Sequence, residues 1–359
     1  MVLKKILLGL TYYLPNISGV TQYAVILAEE LLKRKYEVGV VCSGKSRKVN
    51  GIEILGVLGF GVGKGFVMPT YFWKSFNIVK KFDVINCHLP SVESFWLAVW
   101  GKMLRKKVVV THHCEFNFTG TLSNKFISVV TYPIHLVVYL LADKIVSYTQ
   151  DYAETSVFLR FFKNKIVYVL PPIKIQKVLS AKSKVLIKKK IVGFAGRIGW
   201  EKGIDVLIKA MEKVDGELWL AGPYKEVVGD KTYESLMKII NKKVKFLGPI
   251  GHEEIGGFFE KIDCLVLPST NNLETFGIVQ AEAMVCGTPV VASNLPGVRM
   301  PVRITGMGAI AGIGDSDDLA IKINEVLKNG KKYYQKNAKN LDKFDYKKTV
   351  DEYETIFNN

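Results

Sequence analysis

Short, wholly apolar runs alternate along this chain with longer stretches in which apolar positions recur at helical spacing. "KILLGL", "EVGVVCS", "DVINCH", "KVVVTHH" and "DKIVSYT" have strand length, and "TQYAVILAEELLKRK" between the first two reads as a helix. A second series follows, with "KIVGFAG", "ELWLAG", "KVKFLG", "DCLVLPS" and "TPVVAS" as strands. "DVLIKAMEKV" and "GIVQAEAMVCG" are its helices. Strands apolar at successive positions are buried on both faces, as in a parallel sheet covered by crossover helices. The pattern predicts an α/β protein of two Rossmann-like, doubly wound domains in tandem. Its 359 residues also exceed what one compact core usually holds.

The boundary falls in "VYVLPPIKIQKVLSAKSKVLIKKKIVG", where two prolines and a lysine-rich stretch separate the series. The expected domains are residues 1–172 and 173–340. Residues 341–359 then form a C-terminal helix that can pack back on the N-terminal domain. "DYKKTVDEYETIFN" within it sets Val350, Tyr353 and Phe357 on one helical face. Ligands of doubly wound sheets bind at the carboxyl ends of the strands, so the expected active site is a cleft between two such domains.

Charge adds a partner class. The chain carries a net charge of +17. Residues 1–172 hold 21 lysines and arginines against 10 acidic residues, and the remainder holds 29 against 23. An anionic partner is therefore expected at the first half. Nucleic acid, anionic lipid headgroups and phosphorylated small molecules all fit, and so does a solvated lysine surface. The five cysteines (Cys42, Cys87, Cys114, Cys264 and Cys286) are scattered with no CxxC pair, which suggests neither a zinc site nor a disulfide framework. A cytoplasmic protein is expected, with peripheral contact at the cytoplasmic membrane face left open. "FISVVTYPIHLVVYLLA" is shorter than the roughly 20 apolar residues of a spanning helix and reads as a buried helix.

Two segments carry candidate chemistry. In "GFAGRIGWEKG" a strand ends in a glycine turn flanked by Arg197 and Lys202, and a helix begins near Asp205. Close backbone approach, two cations and a helix N-terminus suit a diphosphate. The alternative is an ordinary strand–loop–helix with surface charges. In "ETFGIVQAEAM", Glu274 and Glu282 stand eight positions apart around small and apolar residues. Glu274 precedes a helix expected to start near Phe276 or Gly277, whose amides suit phosphate oxygens. Each carboxylate can accept from two neighbouring hydroxyls of a sugar diol. For Glu282 the alternative is an exposed helix position beside polar Gln280.

"ETFGIVQAEAMVCGTPVVAS", preceded by "LPST", resembles the EX7E segment of the family 4 (group 1) glycosyltransferases, and "GRIGWEKG" resembles their GRxxxxKG segment. "PNISGVTQYAVILAEELLKRKYEV", "DVINCHLP", "VVVTHHCEF", "SNLPGVR" and "GDSDDLAIKINEVL" extend the likeness over nearly the whole chain. The resemblance implies a GT-B fold and transfer of a hexose from a UDP- or GDP-linked donor, with retention at the anomeric carbon and without a metal or other cofactor. It implies that Glu282 meets the ribose, Glu274 the donor sugar, and Arg197 and Lys202 the diphosphate. The family's Thr-x-His pattern selects His113, near the reacting face of the sugar, and leaves His112 incidental. Glu115 is expected to face the acceptor. Gly19 matches the family's N-terminal glycine loop, in which Ser18 replaces the usual first glycine.

The expected partners are a nucleotide sugar and a glycan or lipid-linked acceptor, with contact to an anionic membrane open and no nucleic acid. Three motifs are set aside. "DSD" (Asp315 to Asp317) is expected to be a helix cap rather than a metal triplet. "GFGVGKG" (Gly59 to Gly65) fits no phosphate-loop register and reads as a flexible acceptor-side loop. "KSKVLIKKK" reads as linker lysines. The rival functions are a GT-B nucleotide-sugar epimerase or phosphorylase and, more remotely, a non-enzymatic basic binding module.

Overall fold

The computed structural model describes residues 4–16, 18–62, 65–115, 122–175, 189–223, 232–251 and 253–359. Most of "KSKVLIKKK" lies outside them. The chain divides into two compact units, residues 1–172 with 346–359, and residues 173–345.

In the first unit the strands are β1 (Lys5–Gly9), β2 (Glu37–Ser43), β3 (Arg47–Val49), β4 (Ile52–Val57), β5 (Phe60–Val62), β6 (Gly65–Val67), β7 (Val84–Leu89), β8 (Lys107–His112), β9 (Lys144–Ser147) and β10 (Ile166–Tyr168). The helices are α1 (Gly19–Lys33), α2 (Tyr71–Val79), α3 (Ser94–Met103), α4 (Leu122–Leu141) and α5 (Gln150–Ala153). The main sheet runs β10-β9-β8-β7-β1-β2-β4-β3, and only β3 is antiparallel to its neighbour. Ile6, Leu7 and Leu8 of β1 have no exposed surface, as expected of a central parallel strand. From β1 the sheet grows one way through β2 and the other way through β7, so its switch point lies between β1 and β7. β5 and β6 form a separate antiparallel hairpin. The flanks of "GFGVGKG" are thus paired strands rather than loop.

In the second unit β11 (Ile191–Ala195), β12 (Glu217–Ala221), β13 (Val244–Gly248), β14 (Cys264–Leu267), β15 (Val290–Ser293) and β16 (Gly308–Ala311) form a parallel sheet in the order β13-β12-β11-β14-β15-β16. Its switch point lies between β11 and β14. The helices are α6 (Ile204–Ala210), α7 (Thr232–Met237), α8 (Ile255–Lys261), α9 (Ile278–Val285), α10 (Met300–Thr305) and α11 (Ser316–Asn337).

The last helix, α12 (Tyr346–Asn358), belongs to the first unit. Val350, Tyr353 and Phe357 are fully buried, each burial worth about 1.5–3 kcal/mol. Arg34 of α1 pairs with Asp351 at 2.6 Å, and Lys4 Nζ donates to the Phe357 carbonyl at 2.8 Å, a cation at a helix C-terminus. Residues 341–345, expected with this helix, belong instead to the second unit. Phe344 is fully buried with its ring 6.1 Å from that of Phe276, and its carbonyl accepts from the Ile173 amide at 3.3 Å.

Helix α4 differs from the wholly buried helix expected. Val138 and Tyr139 are buried, but Val129, Leu136 and Leu140 are exposed along one stripe. No helix among the described residues is long and apolar enough to cross a membrane.

Candidate functional site

The loops that follow β11 and β14 meet at the switch point of the second sheet. The β11 loop turns through a short 3-10 helix, Trp200–Lys202, and reaches Gly203 at φ 64°. A Cβ at Gly203 would lie 2.2 Å from the Pro268 carbonyl oxygen, so only glycine lets the two loops close. The Thr270 amide donates to the Glu201 carbonyl at 3.1 Å and fastens them further. This contact sets Lys202 against Glu274: Nζ donates to Oε2 at 2.6 Å. Their side chains are 20% and 16% exposed, enough to be reached by a ligand and enough shielded for the charges to count. Arg197 pairs with Glu201, whose other carboxylate oxygen is buried without a hydrogen-bond partner among the described residues.

Beyond Glu274 the chain enters the core. Phe276 is fully buried, and Gly277 caps α9 at φ 73°. A Cβ at Gly277 would lie 2.3 Å from Leu267 Cδ2 of β14. Gln280 is not the exposed polar neighbour expected of a solvated helix face. It is fully buried, and its Nε2 donates to the Phe276 carbonyl at 2.8 Å and the Val298 carbonyl at 2.9 Å. Glu282, one turn into α9, is part-buried and its carboxylate accepts no hydrogen bond among the described residues. Burial alone pushes its carboxyl up to about 7. A carboxylate left in this state is poised to accept hydroxyl donors.

The first unit holds the other expected residues. Gly19 is exposed and opens α1. Ser18, in place of a glycine, adopts extended φ/ψ of −149° and 169°, and its hydroxyl accepts from the Thr21 amide at 3.1 Å. The departure from the family's glycine pair is therefore an N-cap. His113 follows β8 and is 4% exposed. Its Nε2 bonds His88 Nδ1 at 2.8 Å and its Nδ1 bonds the Tyr148 hydroxyl. Burial pushes its pKa well below the usual histidine value. His112 is held by the hydroxyls of Tyr139 at 2.5 Å and Tyr152 at 3.2 Å, a structural role. Glu115 is 7% exposed, and its Oε1 accepts from the Ser156 hydroxyl at 2.6 Å and from the Val157 and Phe158 amides at 2.6 and 3.3 Å. It caps a turn from the interior rather than standing open as an acceptor-facing side chain.

Of the expected residues, Lys202 and Glu274 are in direct contact, Arg197 and Lys202 share one short loop, and Glu282 follows on α9. Gly19, His113 and Glu115 belong to the other unit. Asp315 of "DSD" caps α11, accepting from the Asp317 and Asp318 amides at 3.0 Å each. Sequence reading missed Glu201, which anchors Arg197. It also missed the buried polar file Asn86, His88 and Thr111. The signal for the file was present, because each is a polar residue inside an otherwise apolar strand and needs a partner there.

Two family models divide the chain between them. "Glycosyltransferase Family 4" matches residues 17–177 and "Glycosyl transferases group 1" matches residues 176–344. The chain belongs to the family 4, group 1 glycosyltransferases, and its fold is GT-B. An uncharacterized 41.2 kDa protein of the cps region of Klebsiella pneumoniae is 27% identical over 63% of this chain and 65% of its own length. An uncharacterized glycosyltransferase of Methanocaldococcus jannaschii is 27% identical over 91% of this chain and 90% of its own length. Among solved structures, the Anabaena protein HepE in complex with UDP and glucose matches with a TM-score of 0.77 at 17% identity, covering 99% of both chains.

Proposed function

We propose that this glycosyltransferase moves a hexose from a UDP- or GDP-linked donor to a glycan or lipid-linked acceptor, with retention and without a metal. The observation that carries the reading is the 2.6 Å contact of Lys202 with Glu274 at the switch point of the second sheet. A cation and a carboxylate there match the two ends of a sugar diphosphate. Lys202 and Arg197 would take the diphosphate, Glu274 the hydroxyls of the sugar, Glu282 those of the ribose, and the amides around Phe276 and Gly277 the phosphate oxygens. In the unliganded protein Lys202 and Glu274 neutralise each other. Donor entry exchanges that pair for phosphate on the lysine and sugar on the glutamate.

Cleavage of the glycosidic bond leaves extra negative charge on the nucleoside diphosphate. Fixed cations and amides stabilise that charge more in the transition state than in the ground state. His113 at the reacting face and Gly19 in the N-terminal loop are assigned by resemblance. Retention also rests on the resemblance. The UDP of the Anabaena structure makes UDP-sugars the first donors to try. The basic first half would suit an acceptor carried on a lipid diphosphate, at the cytoplasmic face of an anionic membrane.

The test is a thermal-shift screen of UDP-, GDP-, ADP- and dTDP-sugars, followed by mass analysis of products on glycan and lipid-linked acceptors. Stabilisation by a UDP- or GDP-sugar and a product one hexose heavier is the expected result. Sugar released or isomerised with no acceptor present would favour an epimerase instead. Absence of binding to anionic vesicles at low salt would remove the membrane part of the reading.

A further inference from the structure

The two faces of the main sheet in the first unit carry helical layers of different chemistry. Successive strand residues point to opposite faces. Val110 of β8 lies in one core cluster with Leu97 of α3 and Val138 of α4, while Thr111 beside it meets the Tyr353 hydroxyl of α12 at 2.7 Å. The layer of α1 and α12 is a solvated one: α12 exposes Asp351 and Glu352, and Arg34 pairs with Asp351 at 2.6 Å. The layer of α2, α3 and α4 contains no Asp or Glu in any of its three helices. In it α3 packs between α2 and α4. Phe72 joins α2 to α3, with its ring edge-on to Trp96 at 4.6 Å and to Trp100 at 4.9 Å, and Trp100 Nε1 donates to its carbonyl at 3.2 Å. Trp73, edge-on to Phe72 at 4.6 Å, is nonetheless left 71% exposed. Met103 on α3 and Val129, Leu136 and Leu140 on α4 are exposed as well. A single exposed apolar side chain needs no explanation, but this many on three adjoining helices without an acid mark an interaction surface.

Charge says what covers it. Exposed Lys74, Lys80 and Lys81 stand on and just after α2, and exposed Arg105 follows α3. Lys80 Nζ lies 4.1 Å from the centroid of the Phe76 ring, so its stem follows the aromatic surface while its head stays open to an anion. The acids at the borders of this layer are turned to internal partners. Asp83 accepts from the Lys5 amide at 2.9 Å, and Glu93 from the Thr11 and Ser91 hydroxyls at 2.9 and 2.8 Å. Asp143 holds Lys102 at 2.6 Å and the Val108 amide at 2.8 Å. Tryptophan, methionine and aliphatic side chains beside unopposed lysine and arginine complement a bilayer with anionic headgroups. Tryptophan suits the headgroup level, aliphatic groups the acyl boundary, and each cation gains from the negative surface potential. No helix among the described residues is long and apolar enough to cross a membrane, so the contact is one of surface on surface.

We propose that the face of α2, α3 and α4 lies on an anionic lipid bilayer, with Trp73 at the headgroup level and Lys74, Lys80, Lys81 and Arg105 on the lipid phosphates. This rests on the lipid-linked acceptor reading of the proposed function and deepens it, because it fixes which side of the first unit meets the membrane.

The test is flotation of the full chain with vesicles of phosphatidylcholine alone and of equal parts phosphatidylcholine and phosphatidylglycerol, at low and high salt. Binding to the anionic vesicles, weakened by salt, is expected. Lys80→Gln with Lys81→Gln should weaken it by about fivefold for each lysine removed, and Trp73→Ala or Leu140→Gln by about tenfold each. Lys328→Gln removes the same charge from an exposed position on α11 in the other unit and should leave binding unchanged. Lipids brominated in the acyl chains should quench the indole fluorescence of the native protein more than that of Trp73→Phe. All the substituted side chains are exposed, so melting temperatures should not move. Absence of binding to the anionic vesicles overturns the proposal, and so does binding that Lys328→Gln weakens as much as each lysine of the α2 pair. A dimer in solution that Trp73→Ala dissociates overturns it too, because a second copy would then be the occupant. Thermal stabilisation by a nucleotide sugar should be equal in the native protein and in every variant. Vesicle binding absent with that stabilisation intact strikes the docking face alone. No stabilisation by any nucleotide sugar, with vesicle binding kept, strikes the functional reading and leaves the docking face standing.

Discussion

Lys202 Nζ donates to Glu274 Oε2 at 2.6 Å, so the two residues expected to hold opposite ends of a donor hold each other in its absence. The pair bridges the loops that follow β11 and β14. Lys202→Ala leaves a part-buried carboxylate without its cation, and a stability loss of about 1–2 kcal/mol is expected from denaturant unfolding. Removing a charge-stabilising donor typically raises the barrier by about 3–4 kcal/mol, so kcat should fall at least as far as donor affinity. The double variant Lys202→Ala with Glu274→Ala should be more stable than the sum of the singles predicts. Turnover unchanged at saturating donor would remove Lys202 from the chemistry.

Glu282 links stability to pH in the opposite sense from a paired carboxylate. Its folded value of about 7 lies above the 4.5 of an ordinary glutamate. The folded protein binds this proton more tightly than the unfolded chain. The contribution is therefore fully present below about pH 4.5 and is lost as pH rises through 7. Glu282→Gln should match the native protein at pH 4.5 and exceed its stability by about 2 kcal/mol at pH 8, from 1.36 kcal/mol per unit discounted for partial exposure. The nucleotide should show the reverse. Its affinity for the native protein should rise between pH 6 and pH 8 as the carboxylate ionises, and stay flat in Glu282→Gln. A Gln variant less stable than native at pH 8 would contradict the desolvated, unpaired carboxylate.

Gly203 turns the β11 loop at φ 64° against the Pro268 carbonyl. An added Cβ faces backbone at 2.2 Å, which cannot swing aside, in a conformation that already costs about 1–2 kcal/mol for any other residue. Gly203→Ala should destabilise the protein by at least about 2 kcal/mol and weaken nucleotide binding, because it parts the loops that carry Lys202 and Glu274. Equal nucleotide affinity in calorimetry, with the fold intact, would mean that the loop contact does not build the site.

The order of strands and helices was legible because parallel strands buried on both faces leave uninterrupted apolar runs, as in "EVGVVCS" and "DCLVLPS". The short pairings β3 with β4 and β5 with β6 were not, since three-residue strands carry no periodicity. Arg197, Lys202, Glu274 and Glu282 stood out as charges beside glycine turns and in apolar runs. Their partners did not. That Lys202 meets Glu274 depends on Gly203 closing on Pro268, a contact between residues 65 positions apart. Gln280 misled for a related reason: its amide serves two backbone carbonyls that only the folded chain brings within reach.

Glu115 separates a contact with substrate from support of the fold. Its Oε1 takes the Ser156 hydroxyl and the Val157 and Phe158 amides, so its loss strands one buried and one part-buried backbone donor near the start of a turn. An unsatisfied buried donor costs about 1–3 kcal/mol, and Glu115→Ala should lower stability by at least that much. Glu115→Gln retains an oxygen that can accept from the same groups and should lose less, with the charge-assisted part of the bonds gone. If the carboxylate serves only this turn, acceptor KM in Glu115→Gln equals that of the native enzyme once measured well below the melting temperature. A raised acceptor KM with unchanged stability is the opposite signature, and would show that the second carboxylate oxygen reaches the acceptor while the first holds the turn.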